Sequence, residues 1–305
     1  MTNITASLVK ELRDKTGAGM MDCKNALNEN NGDIENSIDW LRTKGLAKAA
    51  KKSGRTASEG LIAISSSNKY TSIIEVNSET DFVARNETFQ EVAKEISTLS
   101  LLSEDIESLN NEIIEEKDIS VQDYVTEMIS SIGENINLRR MKRFSSSDSF
   151  IASYIHGQVS EGLGKIGVLV DLKSSLNEDL LSDIGKKIAM HIAATNPISI
   201  GIDDIPADIL KREKNILIEE ARDSGKPEEI IEKMIEGRLK KFYQESVLLE
   251  QTFVIDGENK ISEILNSFDN PIKLNSFVRF ELGEGIEKSD ENDFASEVDS
   301  MISGN

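Results

Sequence analysis

Apolar positions take helical spacing at the start of the chain and strand spacing afterwards. Leu8, Val9 and Leu12 share one helical face, and Gly17 and Gly19 end that pattern. Residues 20–27 predict a second short helix, closed by Asn30-Asn31-Gly32. Asp33 fits the N-cap of a third, because its carboxylate accepts a free N–H of the first turn. Asn36 stands where a full capping box would have Glu or Gln, while Glu35 in the first turn suits the helix dipole. Ile34, Ile38 and Leu41 form the inner face, and Gly45 is read as interrupting the helix. Three helices this short enclose a small core, a size that suits an adaptor better than an enzyme.

Strand patterns follow. Residues 61–64 are a short apolar run, 65–69 are polar and turn-like, and 70–76 are rich in β-branched side chains. An amphipathic helix over 89–99 carries Phe89, Val92, Ala93 and Ile96 on one side. The same order returns: an extended run from Ser153, a buried-type strand over 166–172, and a helix over 180–194 with Leu181, Ile184, Ile188 and Ile192 at helical spacing. Between them, 121–132 reads as helix and 137–144 as extended. The repeated strand, strand, helix predicts an α+β fold with two related halves. Residues 206–242 differ. Pro206 suits a first helical turn, Ser224-Gly225-Lys226 turns the chain, and Pro227 starts a second helix. The pair predicts an antiparallel helical hairpin, read as an arm, with a pair packed on the core as the alternative. A helix from Ile261 and a strand over 277–282 come next, and Gly283 and Gly285 read as a hinge. Phe294, Val298 and Met301 lie at near-helical spacing on an acidic tail, either a frayed end or a short docking helix.

The 305 residues fit about two domains, and 38% hydrophobic with 30% charged residues fits a soluble globular protein. Thirty-five basic against 55 acidic side chains leave a net charge of −20, which opposes non-specific binding to nucleic acid. The local basic stretch from Arg42 to Arg55, with Lys44, Lys48, Lys51 and Lys52, reads as a solvated helix face and linker, with RNA contact as the alternative. One cysteine, Cys23, permits no internal disulfide and suits a reducing compartment. No apolar run is long enough for a bilayer, and Met1-Thr2-Asn3-Ile4-Thr5 lacks a signal pattern, so no membrane contact and a cytoplasmic location are expected.

Familiar catalytic chemistry is missing. Gly162-Leu163-Gly164-Lys165-Ile166-Gly167 matches the dinucleotide pattern, but its glycines lead into a strand instead of opening a helix, so a hairpin turn is expected. The chain has no phosphate-loop motif of its own. His156 and His191 fall in different elements with no Cys/His cluster, so no metal site is expected, and no cofactor. His191 reads as a core or partly exposed helix residue, and His156 as an exposed turn residue. No nucleophile, base and oxyanion site assembles, so no enzyme is expected.

One segment stands out. Thr80-Asp81-Phe82-Val83-Ala84-Arg85-Asn86 lies between a strand and a helix and is read as a loop. A large aromatic there is unusual, because loops carry polar tips. From the residues alone the favoured reading has Phe82 tucked under the loop as a plug of the core, with exposure as the alternative.

This segment and several others resemble the bacterial translation elongation factor Ts family. The resemblance rests also on Thr5-Ala6-Ser7-Leu8-Val9-Lys10-Glu11-Leu12-Arg13, Thr16-Gly17-Ala18-Gly19-Met20-Met21-Asp22-Cys23-Lys24, Gly133-Glu134-Asn135-Ile136-Asn137-Leu138-Arg139-Arg140, Ala189-Met190-His191-Ile192-Ala193-Ala194, Ser224-Gly225-Lys226-Pro227 and Phe280-Glu281-Leu282-Gly283-Glu284-Gly285-Ile286-Glu287, in order along nearly the whole chain. Arg85 stands where the family often has Lys, which keeps the charge. The resemblance implies a three-helix, ubiquitin-associated-like module over 1–55, core subdomains over 56–140 and 141–283, each a small antiparallel sheet with helices, a helical hairpin inserted at about 203–243, and a C-terminal helical module over 284–305. It implies that the partner is elongation factor Tu, bound as a heterodimer or a two-to-two complex, with no direct nucleic acid. Thr80, Asp81, Phe82 and Val83 would dislocate the partner's Mg²⁺, with Arg13, Met20, Met21 and His156 as further contacts. The rivals are an RNA- or ribosome-associated module using Arg42–Arg55 and Arg139–Arg143, and a nucleotide-dependent enzyme using Gly162–Gly167.

Overall fold

The computed structural model describes residues 4–16, 18–223 and 228–287. Three helices open the chain: α1 (Ala6–Thr16), α2 (Met20–Glu29) and α3 (Ile34–Lys52). They close around Val9, Leu12, Cys23, Ala26 and Leu27, with Ile34, Ile38, Trp40 and Leu41 against that cluster. Asp33 caps α3 as expected, accepting the Asn36 N–H at 2.9 Å.

The first half follows as β1 (Glu59–Ser66), β2 (Tyr70–Ser78), α4 (Asp81–Ala84), α5 (Glu87–Leu99), α6 (Ile106–Asn111), the small hairpin β3 (Ile113–Ile114) and β4 (Ile119–Ser120), α7 (Val121–Ile132) and β5 (Ile136–Ser145). The second half is β6 (Phe150–His156), β7 (Leu163–Gly164), β8 (Ile166–Lys173), α8 (Glu178–Thr195), α9 (Ala207–Asp223), α10 (Glu228–Ser246), α11 (Ile261–Asn266) and β9 (Lys273–Glu281). The architecture is α+β, as the repeated pattern predicts.

The sheets are antiparallel, in the orders β5-β2-β1-β7 and β6-β8-β9. Strand β7 belongs to the second half by sequence yet pairs with β1, setting Gly164 opposite Ile62. Side chains alternate between the faces of β1. Leu61 and Ala63 enter the helix-covered core with Phe89, Val92, Ile96 and Tyr124, whereas Ile62 joins Ile73, Leu169 and Phe280 between the two sheets. Both faces are covered, which is why 61–64 is apolar throughout. A second core gathers Val168, Val170, Ile184, Ile188 and Ile192.

Two glycine readings are corrected. Gly45 does not interrupt α3, which runs 19 residues through it. Gly45 is buried on the side of α3 that meets α7, where a Cβ would touch Ser130 at 3.5 Å. That packing outweighs the cost of a helical glycine, about 1 kcal/mol. Nor is Gly283 a free hinge. Its N–H donates to Glu75 Oε1 at 2.9 Å, and with φ at +73° a Cβ would lie 2.4 Å from the Ser58 carbonyl oxygen. The turn is bolted to the first sheet.

Helices α9 and α10 pack along each other, joined by the Arg238–Glu220 ion pair, and form the expected helical pair. The turn at 224–227 and the tail from 288 lie outside the described residues. Among the described residues no helix is long and apolar enough to cross a membrane, and no group of three or more His, Cys, Asp or Glu could hold a metal ion.

Candidate partner-binding site

The segment read as a loop contains a single helical turn, α4, and the reason is local. Thr80 is extended at φ −126° and ψ 156°, the N-cap conformation, and Asp81 in the first turn suits the helix dipole. Asn86 ends the turn by capping α5, its Oδ1 accepting the Thr88 N–H at 2.9 Å and the Phe89 N–H at 3.4 Å. Sequence reasoning saw the strand before and the helix after, but one turn carries no periodicity to read.

Thr80 does not cap α4 with its hydroxyl. Both its donors go to the carboxylate of Glu134: Oγ1–H at 2.6 Å and the backbone N–H at 3.0 Å. Glu79 makes the matching contact next door, accepting the Asn135 N–H at 2.5 Å and pairing with Arg55 at 3.3 Å. Asn135 donates from Nδ2 to the Arg55 carbonyl at 2.8 Å. The Glu134 carboxylate thus holds the backbone at Thr80, and the Glu79 carboxylate holds the facing backbone at Asn135.

Inside the turn the side chains divide. Val83 and Ala84 are buried in the first core beside Phe89. Phe82 points away and is 76% exposed. The core plug that the residues alone favour at Phe82 is therefore Val83, and Phe82 takes the exposed position that the family resemblance favours over it. An apolar ring left in water forgoes roughly 1.5–3 kcal/mol of burial, so its display needs another cause. Asp81 pairs with Arg85 at 2.7 Å, one helical turn on, in an exposed pair.

The remaining candidates are elsewhere. Met20 and Met21 start α2 at 59% and 66% exposed. Arg13 is exposed near the end of α1. His156 is exposed at the end of β6, its Nδ1 3.2 Å from the Tyr154 hydroxyl. Among the described residues no hydrogen bond or ion pair joins these four to the Phe82 turn. Nothing in the sequence signals that Glu134, Glu79 and Arg55 meet at this turn. Glu134 lies 54 positions from Thr80, so no spacing within one element could flag it.

Most groups of the alternative readings have partners within the fold. In the basic stretch, Arg42 pairs with Asp123, Lys44 and Lys48 with Asp22, and Lys52 donates to the Gly133 carbonyl. Arg139 and Arg140 converge on the buried Glu75 at 3.1 and 2.5 Å. Burial alone would push the Glu75 carboxyl up. Hydrogen bonds from Asn77, the Gly283 N–H and Arg140 outweigh it and hold the group below the usual carboxylate range. The Gly162–Gly167 glycines fall in the turn before β7 and in β7 and β8, where a Cβ on Gly164 would lie 2.3 Å from Ile155. They serve close strand packing.

The sequence model of the family Elongation factor TS matches residues 79–284. The chain is 50% identical to the Elongation factor Ts of Allorhizobium ampelinum and 52% identical to that of Parvibaculum lavamentivorans, in each case over the whole of both chains. It is 52% identical to the Elongation factor Ts of Rhodospirillum rubrum, with 99% of both chains covered. These matches extend over the Phe82 turn, its carboxylate clamp and both sheets, and the chain belongs to the elongation factor Ts family.

Proposed function

We propose that this chain is a cytoplasmic factor of translation elongation that binds the GTPase elongation factor Tu in its GDP form and speeds GDP release. One observation carries the reading: Phe82 is held out in water on a turn whose neighbours Val83 and Ala84 are locked in the core. An aromatic displayed on a rigid turn binds with little ordering cost, the property of interface anchors.

In this mechanism Phe82 inserts between helices of the GTPase domain, and Asp81 presents its carboxylate beside it. Mg²⁺ requires near-ideal octahedral geometry and bridges the GTPase to phosphate oxygens, so small displacements of its ligands weaken the nucleotide site. The coupling is reciprocal: a factor that lowers GDP affinity is itself bound less tightly by the GDP form, by the same ratio. No bond is made or broken in the nucleotide, so the chain acts by binding and not as an enzyme. Val83 contributes as the anchor of the turn. Arg13, Met20, Met21 and His156 supply grip at a distance, the methionines as an adaptable apolar surface.

Stopped-flow release of a fluorescent GDP analogue tests the proposal. Phe82→Ala is expected to slow release roughly 10- to 100-fold, the equivalent of one buried ring. A rate equal to wild type overturns it.

A further inference from the structure

The chain displays Phe82 against the hydrophobic gain of burying it; at the entry to its turn Ser78 Oγ donates to the Thr80 carbonyl at 3.0 Å, and the acceptor for both Thr80 donors comes from another part of the sequence. Glu134 follows Gly133, which ends α7 in the left-handed conformation at φ +88°. That conformation turns the chain so that 134 and 135 run alongside Glu79 and Thr80. The Glu134 carboxylate then takes both donors of Thr80, at 2.6 and 3.0 Å. Glu79 and Asn135 close the other side of the clamp. Its base is the end of α3, where Lys52 donates to the Gly133 carbonyl and the Arg55 carbonyl accepts from Asn135.

We infer that Glu134 is the positioning residue of the Phe82 turn: it touches no partner itself and sets the orientation of Phe82 by holding Thr80. The inference rests on the exchange reading above and adds to it a residue that acts through another. The chemistry fits. Thr80 is the N-cap of α4, so fixing its N–H and Oγ1 fixes the direction in which the helix leaves β2. A charged acceptor with two oxygens holds two donors at once, which a single hydroxyl or amide oxygen does less well. Orientation errors of this kind are costly where a group must enter a partner in one geometry. Because Gly133 receives Lys52, the same clamp ties the Phe82 turn to the helix α3 of the three-helix module.

GDP release from elongation factor Tu is compared for the full-length wild type, Glu134→Ala, Glu134→Gln, Phe82→Ala and the double variant Glu134→Ala/Phe82→Ala. Glu134→Ala is expected to slow release about tenfold, and Glu134→Gln, which keeps one carbonyl acceptor, about threefold. In the Phe82→Ala background Glu134→Ala should add less than about twofold, since the orientation it protects no longer matters. Backbone hydrogen exchange at residues 81–84 of the free chain should rise in Glu134→Ala while β2 stays protected. Thr80→Val removes only the hydroxyl donor and guards against a Glu134 variant that does not fold; it should slow release about threefold. An equal loss from Glu134→Ala with and without Phe82 would place its effect in general stability and overturn the inference. Unchanged release in Glu134→Ala and Thr80→Val, with Phe82→Ala slow, overturns the clamp and leaves the exchange reading standing. Wild-type release in Phe82→Ala overturns both.

Discussion

The two halves share strand, strand, helix, but they treat the connection from the second strand to the helix in opposite ways. In the second half, β8 passes to α8 through residues 174–177. Leu176 packs against the core there, Asn177 caps the helix by accepting the Leu180 N–H at 2.9 Å, and Ser174 donates to the Asn270 carbonyl at 3.2 Å. In the first half, β2 passes to α5 through α4, and the large apolar side chain faces water. Glu134 grips the backbone of the first connection at Thr80, while Glu79 within that connection holds the facing backbone at Asn135, and among the described residues no carboxylate accepts from the second. An apolar side chain ordinarily fixes its own turn by being buried. To display one, the chain must hold the backbone by polar contacts instead.

Polar burial also differs in purpose. In the second half it turns inward. His191 is buried on α8, 2.9 Å from Gln251 through Nε2, and its Nδ1 accepts the Val254 N–H at 3.3 Å. With Nδ1 accepting, Nε2 carries the proton and donates to Gln251. The network holds the chain after α10 against the helix and displays no ring.

The sharpest break between core and display concerns two phenylalanines on either side of the Asn86 cap. Phe89→Ala empties a fully buried site and should cost about 3–5 kcal/mol in urea denaturation. Phe82→Ala should stay within about 0.5 kcal/mol of wild type in the same experiment, despite the large effect expected on exchange.

Next in size is the joint between the halves. Glu75→Gln leaves Arg139 and Arg140, each about a quarter exposed, facing a neutral partner. The expected loss is about 2–3 kcal/mol, below that of a wholly buried pair because the arginines reach water. The folded-state pKa of Glu75 is depressed, so its contribution is present above the ordinary carboxylate value and lost as pH falls through the lower folded one. Acid unfolding of Glu75→Gln should therefore be less steep in that range, as read by circular dichroism.

The second half should respond to pH in a higher window. Burial lowers the His191 pKa, and the Gln251 hydrogen bond opposes it less strongly. The unfolded chain then binds the proton more readily than the folded one. The contribution of neutral His191 is complete above its ordinary value of about 6.5 and fades as pH falls below it. Melting temperatures between pH 7.5 and 5.5 should fall more steeply for wild type than for His191→Gln; equal slopes would remove this contrast between the halves.

The smallest effect concerns Asp81. Its pair with Arg85 is exposed on both sides, so Asp81→Asn should change stability by less than about 0.5 kcal/mol. A slower GDP release in that variant would therefore report contact with the partner and not loss of fold.

Elements with local causes were legible in the sequence. Residues 121–132 form the helix that their spacing predicts, and Asp33 caps the helix that it precedes. The strand, strand, helix repeat gave the α+β class, because periodicity and caps depend on neighbours within one turn. Gly45 and Gly283 look like breaks in the sequence and are contacts in the fold, since what decides a glycine is the atom opposite it. Ser130 and Ser58 lie far away in the chain. Phe82 is the clearest case. The sequence determined that a large aromatic lies between a strand and a helix, and family likeness marked it out. Only the tertiary structure decided that Val83 goes inward and Phe82 outward. The carboxylate that holds the turn comes from 54 residues along the chain, and a contact of that range exists only once both sheet strands and α7 have packed.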